Sequence, residues 1–362
     1  MADISRVPSS CVVWCTSGET LETFTACLNG PVGPTSAVTE KAGVMKLNSR
    51  AGAPLSKIQE KSQLRTLVFL LAIAAAACGC SIKKVAVNKL GDSLASGGDT
   101  FASDDDPDLV GEALPFSLKL MESLLAETPQ HRGLLLAASS GFTQYAFVYV
   151  QQPAEEIESQ DLAKYDYLRM RARHLYLRAR KYGLRGLEVN HPGFESELRQ
   201  DAKAVVRKTT VKDVPLLYWT AASWGAAIGV SKDDPELVAD QTIVEALIDR
   251  AFELQPDYDH GAIDEFLISY ESVRQVSGDF APRSRKHFER AVGLTSGQSA
   301  APYVAMAETV SESKQDSEEF ESLLKKALAI NPDARPEWKL VNLVMQRRAR
   351  WLLSHEDELF AK

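Results

Sequence analysis

Two stretches far apart in this chain carry almost the same text: Asp105-Asp106-Pro107-Asp108-Leu109-Val110 and Asp233-Asp234-Pro235-Glu236-Leu237-Val238. Aspartate before proline is a helix start. The carboxylate accepts from the free N–H groups of the first turn, and proline, which has no N–H to satisfy, fits that turn. Apolar residues at helical spacing follow each copy: Leu109, Ala113, Phe116, Leu120, Met121 and Leu124 after the first, Leu237, Val244, Leu247, Ile248 and Ala251 after the second. Pro129 and Pro256 close the two patterns, and Pro115 inside the first is expected to kink or split it. A second helix is expected beyond Gly133 (134–150) and beyond Gly261 (262–276). A further echo then follows each copy, with Arg171-Ala172-Arg173-His174-Leu175-Tyr176-Leu177-Arg178-Ala179 resembling Arg283-Ser284-Arg285-Lys286-His287-Phe288-Glu289-Arg290-Ala291. The chain is internally duplicated, and the duplicated unit is helical.

The helix ends narrow the architecture. Ala251-Phe252-Glu253-Leu254-Gln255-Pro256-Asp257 and Ala327-Leu328-Ala329-Ile330-Asn331-Pro332-Asp333 share the pattern Ala-x-x-(Leu/Ile)-x-Pro-Asp, a common close for the second helix of a tetratricopeptide repeat. No strand-like alternation competes. The expectation is an all-α solenoid of antiparallel helix hairpins, with degenerate tetratricopeptide-like repeats, over residues 105–362.

Upstream the chain reads as leader. Residues 67–77 are an unbroken apolar run, shorter than the roughly 20 residues that span a bilayer. Lys57, Lys61 and Arg65 precede it, and small residues and cysteine follow, which is the order of a secretory signal. Cysteine at the junction marks a lipoprotein signal. Cys80, between Gly79 and Ser81, is the expected acylated residue, with Cys78 the alternative. The boundaries are then 1–44 for a disordered or spurious extension, 45–80 for the lipoprotein signal and 81–104 for a tether. All five cysteines lie at or before Cys80, so the body beyond it has neither a disulfide nor a cysteine nucleophile. The net charge of −8 argues against nucleic acid, which needs a basic surface.

From Ser81 onward the sequence resembles the TatT family, the T component of TRAP transporters associated with tetratricopeptide repeats. The resemblance is carried by Ala86-Val87-Asn88, by Phe101-Ala102-Ser103-Asp104-Asp105-Asp106-Pro107 and by Ala113-Leu114-Pro115-Phe116. It continues through Gly141-Phe142-Thr143-Gln144-Tyr145-Ala146, Arg178-Ala179-Arg180-Lys181-Tyr182-Gly183-Leu184-Arg185-Gly186 and Leu216-Leu217-Tyr218-Trp219-Thr220-Ala221-Ala222-Ser223-Trp224-Gly225. Glu265-Phe266-Leu267 and Asp357-Glu358-Leu359-Phe360 complete it, and the family's Gly-Cys-Ser junction falls on Gly79-Cys80-Ser81. The resemblance implies a periplasmic lipoprotein that is not an enzyme; Ser81 after the cysteine fits anchoring to the outer membrane in preference to the inner, and no cofactor is expected. It also implies a homo-oligomer, a trimer, that partners the substrate-binding P component of a TRAP transporter and takes an apolar ligand.

Candidate ligand positions come from the residues themselves. Trp219 and Trp224 lie in a segment apolar on nearly every face, which is either a central core helix or the lining of an apolar channel. Tyr145 and Tyr149, four apart, share a face and offer the same two readings. Arg173 stands with Arg169, Tyr176 and Arg180 on one basic face, placed for a carboxylate ligand or for salt bridges to acidic helices. His260, Asp264 and Glu265 are the most metal-like group, but no third ligand of the usual kind is near in sequence, so no metal site is expected. No serine-hydrolase elbow, phosphate loop or zinc-protease motif occurs in the sequence. The reading is a transport adaptor. The alternative is a repeat lipoprotein that scaffolds outer-membrane assembly.

Overall fold

Every regular element among the described residues of the computed structural model is a helix; those residues are 87–94, 98–274 and 276–360. The leader, Cys78 and Cys80 lie outside them. The first longer helices are α1 (Pro107–Glu127), α2 (Arg132–Ala146), α3 (Leu162–Glu188), α4 (Phe194–Val206), α5 (Val214–Gly229) and α6 (Gln241–Leu254). They are followed by α7 (Ala262–Tyr270), α8 (Ala281–Leu294), α9 (Ala301–Met306), α10 (Ser317–Ala329) and α11 (Lys339–Ser354). Within the stretch read as a tether, residues 87–94 and Gly98–Ala102 are helical, and Phe101 and Ala102 pack on the core.

The repeated start signal is one device used twice. The Asp106 carboxylate accepts from the Asp108 and Leu109 N–H groups at 3.1 and 3.0 Å, and that of Asp234 accepts from Glu236 and Leu237, both at 3.1 Å. The helices that grow from the two starts differ. Helix α1 continues through Pro115, so of the kink or split expected there the split does not occur. The missing N–H forfeits one hydrogen bond, while burial of Val110, Leu114, Leu118, Met121 and Leu125 holds the helix together. The second copy breaks after the short helix Pro235–Ala239, at the buried Asp240, whose two carboxylate oxygens accept from the two terminal guanidinium nitrogens of Arg199.

The predicted stripe of α1 is also corrected. Leu109 and Phe116 are 55% and 74% exposed. Met121 and Leu124 of that stripe are buried as expected, but over the first turns the buried face runs through Val110, Leu114 and Leu118, which fit the 3.6-residue period equally well and pack towards α2. The helix expected over 262–276 stops at Tyr270.

Helices α2, α3 and α5 pack on one another to form the centre, with α6 against α5. Gly183 of α3 permits the closest crossing. A Cβ there would stand 2.2 Å from Thr220 Oγ1 of α5 and 3.0 Å from Ser139 Oγ of α2. The run Arg132–Ile157, which is α2 continued through a π-turn at Phe147–Gln151, is long and apolar enough to cross a bilayer, yet it packs as a core helix. On the C-terminal side α7 packs on α8 and α9, and α10 on α11.

The last long helix returns to the first ones. Helix α11 touches both Gly98–Ala102 and α1. Lys339 reaches Asp105 at 3.4 Å and Arg347 reaches Asp108 at 3.3 Å. Arg348, buried over the Trp351 ring, donates to Glu308 at 2.8 Å and to Glu155 at 3.1 Å. Burial pulls the Arg348 pKa down, but Glu308, Glu155 and Glu156 outweigh it and hold the guanidinium above its ordinary value. The two ends of the described chain are thus tied by ion pairs.

Candidate functional site

The structure distributes the five candidate residues around α3. Tyr145 and Tyr149 share a face of the α2 run, with ring centroids 5.6 Å apart. The Tyr149 hydroxyl donates to the Pro107 carbonyl at 2.6 Å, and its ring lies directly under Gly111 of α1. Burial pushes the Tyr149 phenol up to about 12. Tyr145 accepts from Arg171 at 3.2 Å. Both tyrosines therefore pin α1 and α3 onto α2.

Trp219 and Trp224 are each 2% exposed. Helix α5 is so rich in alanine and apolar side chains that neighbours cover nearly all of it. Trp219 meets Tyr218 edge-on at 5.0 Å, and Tyr218 in turn packs on Tyr258 at 5.6 Å. Trp224 lies under the Arg180 guanidinium at 4.5 Å, while its buried indole N–H has no hydrogen-bond partner among the described residues. Burial lowers the Arg180 pKa, against the pull of Asp240. No ring contact joins the tyrosine pair to the tryptophans among the described residues.

The basic face of α3 meets the second repeat start. Arg173 pairs with Asp234, and Arg169 donates to the Val230 carbonyl at 3.2 Å and lies 3.4 Å from Asp233. The residue that caps the short helix Pro235–Ala239 thus also anchors it to α3 through Arg173. The echo in the second copy behaves alike: Arg283 pairs with Glu271 at 2.6 Å, Arg285 with Glu319 at 2.7 Å and Arg290 with Asp264 at 2.8 Å.

The group around α7 does not form as a metal set. His260 packs edge-on against Trp338, and Asp264 takes His287 at 2.7 Å and Arg290 at 2.8 Å. Asp264 is sealed and paired. Glu265, the next residue, is 6% exposed, and among the described residues no hydrogen bond or cation reaches its carboxyl. Burial, and then the charge of Asp259, push its pKa well above the ordinary carboxylate range. Asp259 reaches that position through an unusual turn in which Asp259, His260 and Gly261 all have positive φ, at 44°, 53° and 99°. Gly261 is required twice over, by its φ and because a Cβ would stand 3.3 Å from the Ala291 backbone.

Sequence reasoning did not single out Arg348, which stands among Gln346, Arg347 and Arg350 and reads as part of a charged helix end. Glu265 carried a signal in its setting, an acid within Ala262-Ile263-Asp264-Glu265-Phe266-Leu267-Ile268, but the same pattern fits an ordinary first-turn acid.

Helices laid on helices by inter-helix ion pairs, around a buried aromatic centre, define an all-helical body. Comparison with known proteins gives the family. The family model described as TRAP transporter T-component matches residues 103–360, and the chain belongs to that family. It is a transport-associated family, not a family of enzymes. The chain is also 30% identical, over 316 residues, to a Treponema pallidum (strain Nichols) protein described as uncharacterized; the match covers 82% of this chain and 98% of that protein.

Proposed function

We propose that this chain is the lipid-anchored adaptor of a TRAP-type transport system, binding the substrate-binding P component through its helical body. One observation carries the reading: the family match over 103–360 takes in nearly the whole described structure, so the entire body, not a shared module, is that of a T component. Cys80 is the proposed acylated residue and holds the body at the periplasmic face of a membrane, the outer in preference to the inner. The helix pairs are degenerate tetratricopeptide-like hairpins, a scaffold whose surfaces bind partners. The assembly is a homo-oligomer, a trimer. An apolar or carboxylated small molecule passes through or is held within it, and Trp219, beside Tyr218 and Tyr258, is the candidate lining residue. Trp224 belongs to the same helix. Tyr145, Tyr149 and Arg173 already have protein partners, and a ligand role for them requires those contacts to open.

Native mass spectrometry of the purified full chain, before and after addition of a candidate P component, tests the reading. A stable oligomer that takes up the P component is the expected result. A monomer that leaves the P component free would overturn it and favour an assembly scaffold.

A further inference from the structure

We propose that the outward stripe of α1 on one copy of this chain packs against the outward stripe of α3 on a second copy, head to tail, closing a ring of subunits. The proposal rests on the oligomer put forward above and names its contact surfaces. Its starting point is where the exposed apolar side chains stand. The described residues expose eight large ones, and five of these lie on two helices. Leu109 and Phe116 of α1 are 55% and 74% exposed, and Leu162, Tyr167 and Met170 of α3 are 64%, 66% and 39% exposed. Scattered single residues of this kind are ordinary, but aligned ones mark a contact surface. Leu109 and Phe116, seven apart, share a face of α1, continued by the half-buried Ala113 and Leu120. Tyr167 and Met170 share a face of α3, with Leu162 at the helix tip. No side chain of 162–171 is buried, and Ala172 is the first that is. The sequence echo isolates this projection. Helix α3 starts at Leu162 and its echo at Arg171, while α8 starts at Ala281 and its echo at Arg283. Helix α3 therefore carries about two turns that α8 lacks. Those turns hold Leu162 and Tyr167 and bury nothing within their own subunit.

Charge selects the occupant. Two copies of a chain with net charge −8 repel unless patches of opposite sign meet. The two stripes supply such patches. The head of α1 is acidic, with Asp108 and Glu112 exposed beside Leu109, and Glu112 has no ion pair among the described residues. The stripe of α3 is bordered by Lys164, Arg171 and Lys181; the two lysines are exposed and have no ion pair among the described residues. Asp166, the acid in the same turns, lies 3.8 Å from Arg169 of its own helix. The stripes also point apart within one molecule. Glu122 of α1 accepts from the Tyr182 hydroxyl of α3 at 2.7 Å and lies 3.7 Å from Arg178, which marks the side of α1 that faces α3. At about 100° per residue, the apolar stripe of α1 lies roughly 120–180° round the helix from Glu122. Neither stripe can cover the other in its own subunit. They can meet between copies, and a head-to-tail contact of this kind forms a ring when its rotation closes.

Sedimentation velocity of the purified full chain, with variants run singly and mixed, tests this. Phe116→Asp spoils the α1 stripe and Tyr167→Asp the α3 stripe. Both positions are exposed, so the fold is expected to hold, and a thermal melt checks it. Leu109→Asp and Met170→Asp take their places if either first variant melts early. The wild type is expected to sediment as an oligomer. Each variant alone is expected to be monomeric where the wild type is assembled, its dissociation constant raised about thirtyfold or more by loss of an aromatic anchor. The two variants mixed are expected to form a one-to-one dimer, since one keeps an intact α3 stripe and the other an intact α1 stripe. A mixture that stays monomeric would overturn the proposal, because the stripes would then not meet each other. Assembly lost in only one variant would overturn it in favour of a two-fold contact of that stripe with itself. A wild-type oligomer that neither variant disturbs would overturn it and assign the stripes to another partner, such as the P component or a membrane surface, while the oligomer stands. A monomeric wild type would remove the oligomer itself, and this contact with it.

Discussion

Glu265 leaves a thermodynamic mark on the fold. Its folded pKa lies well above the ordinary value of 4.5, chiefly because of burial and then because of Asp259. Below that ordinary value both folded and unfolded chains hold the proton, and the carboxyl takes nothing from stability. Between 4.5 and the raised value the folded chain keeps a proton that the unfolded chain has released, so stability falls as pH rises, by up to about 1.4 kcal/mol per pH unit. Urea denaturation across this range should show that fall, and Glu265→Gln should flatten it and be more stable than wild type under alkaline conditions. An unchanged slope in the variant would show that the carboxyl is already compensated. Gly183 is a second single-residue constraint. Gly183→Ala places a methyl where Thr220 Oγ1 and Ser139 Oγ stand. The expected cost is about 1–3 kcal/mol of overpacking, read as a lowered urea midpoint.

At the scale of the helix, the two Asp-Pro starts allow a controlled comparison. Asp106 and Asp234 each accept from two first-turn N–H groups, but only Asp234 also meets an arginine, Arg173. Asp106→Ala should cost about 1 kcal/mol, the usual worth of an N-cap. Asp234→Ala should cost more, because it also releases Arg173. Since both partners are a little over a quarter exposed, the added term is held to about 0.5–1 kcal/mol after allowing for solvent screening. A double-mutant cycle between Asp234 and Arg173 measures that term directly. Equal costs for the two alanine variants would mean that the ion pair holds nothing.

Across the whole molecule, the ion pairs between α11 and the first helices make the two ends one structural unit. Arg348→Met leaves Glu308 and Glu155 without their buried cation, and breaking such a pair costs about 3–5 kcal/mol. The effect should spread across the contact. Hydrogen exchange should rise together in α11, in Gly98–Ala102 and in the first turns of α1. Faster exchange confined to α11 would show that the ends fold independently.

Local chemistry was legible in the sequence. The Asp-Pro caps, the prolines that stop α6 and α10, and the all-round burial of α5 depend on residues within a turn or two of each other, and they stand where the text placed them. Membership of the T-component family was legible too, because it is a property of the text itself. Partnership across space was not. Both faces of α1 fit the helical period, and only contact with α2 chose Val110 over Leu109. Asp264 and Glu265 are alike in sequence, yet about 100° of helical rotation gives one of them His287 and Arg290 and leaves the other alone. Arg348 acquires its role from Glu155, almost two hundred residues earlier. Each of these depends on the angle and level at which helices cross, and that is fixed by packing the whole body at once, not by any single stretch of chain.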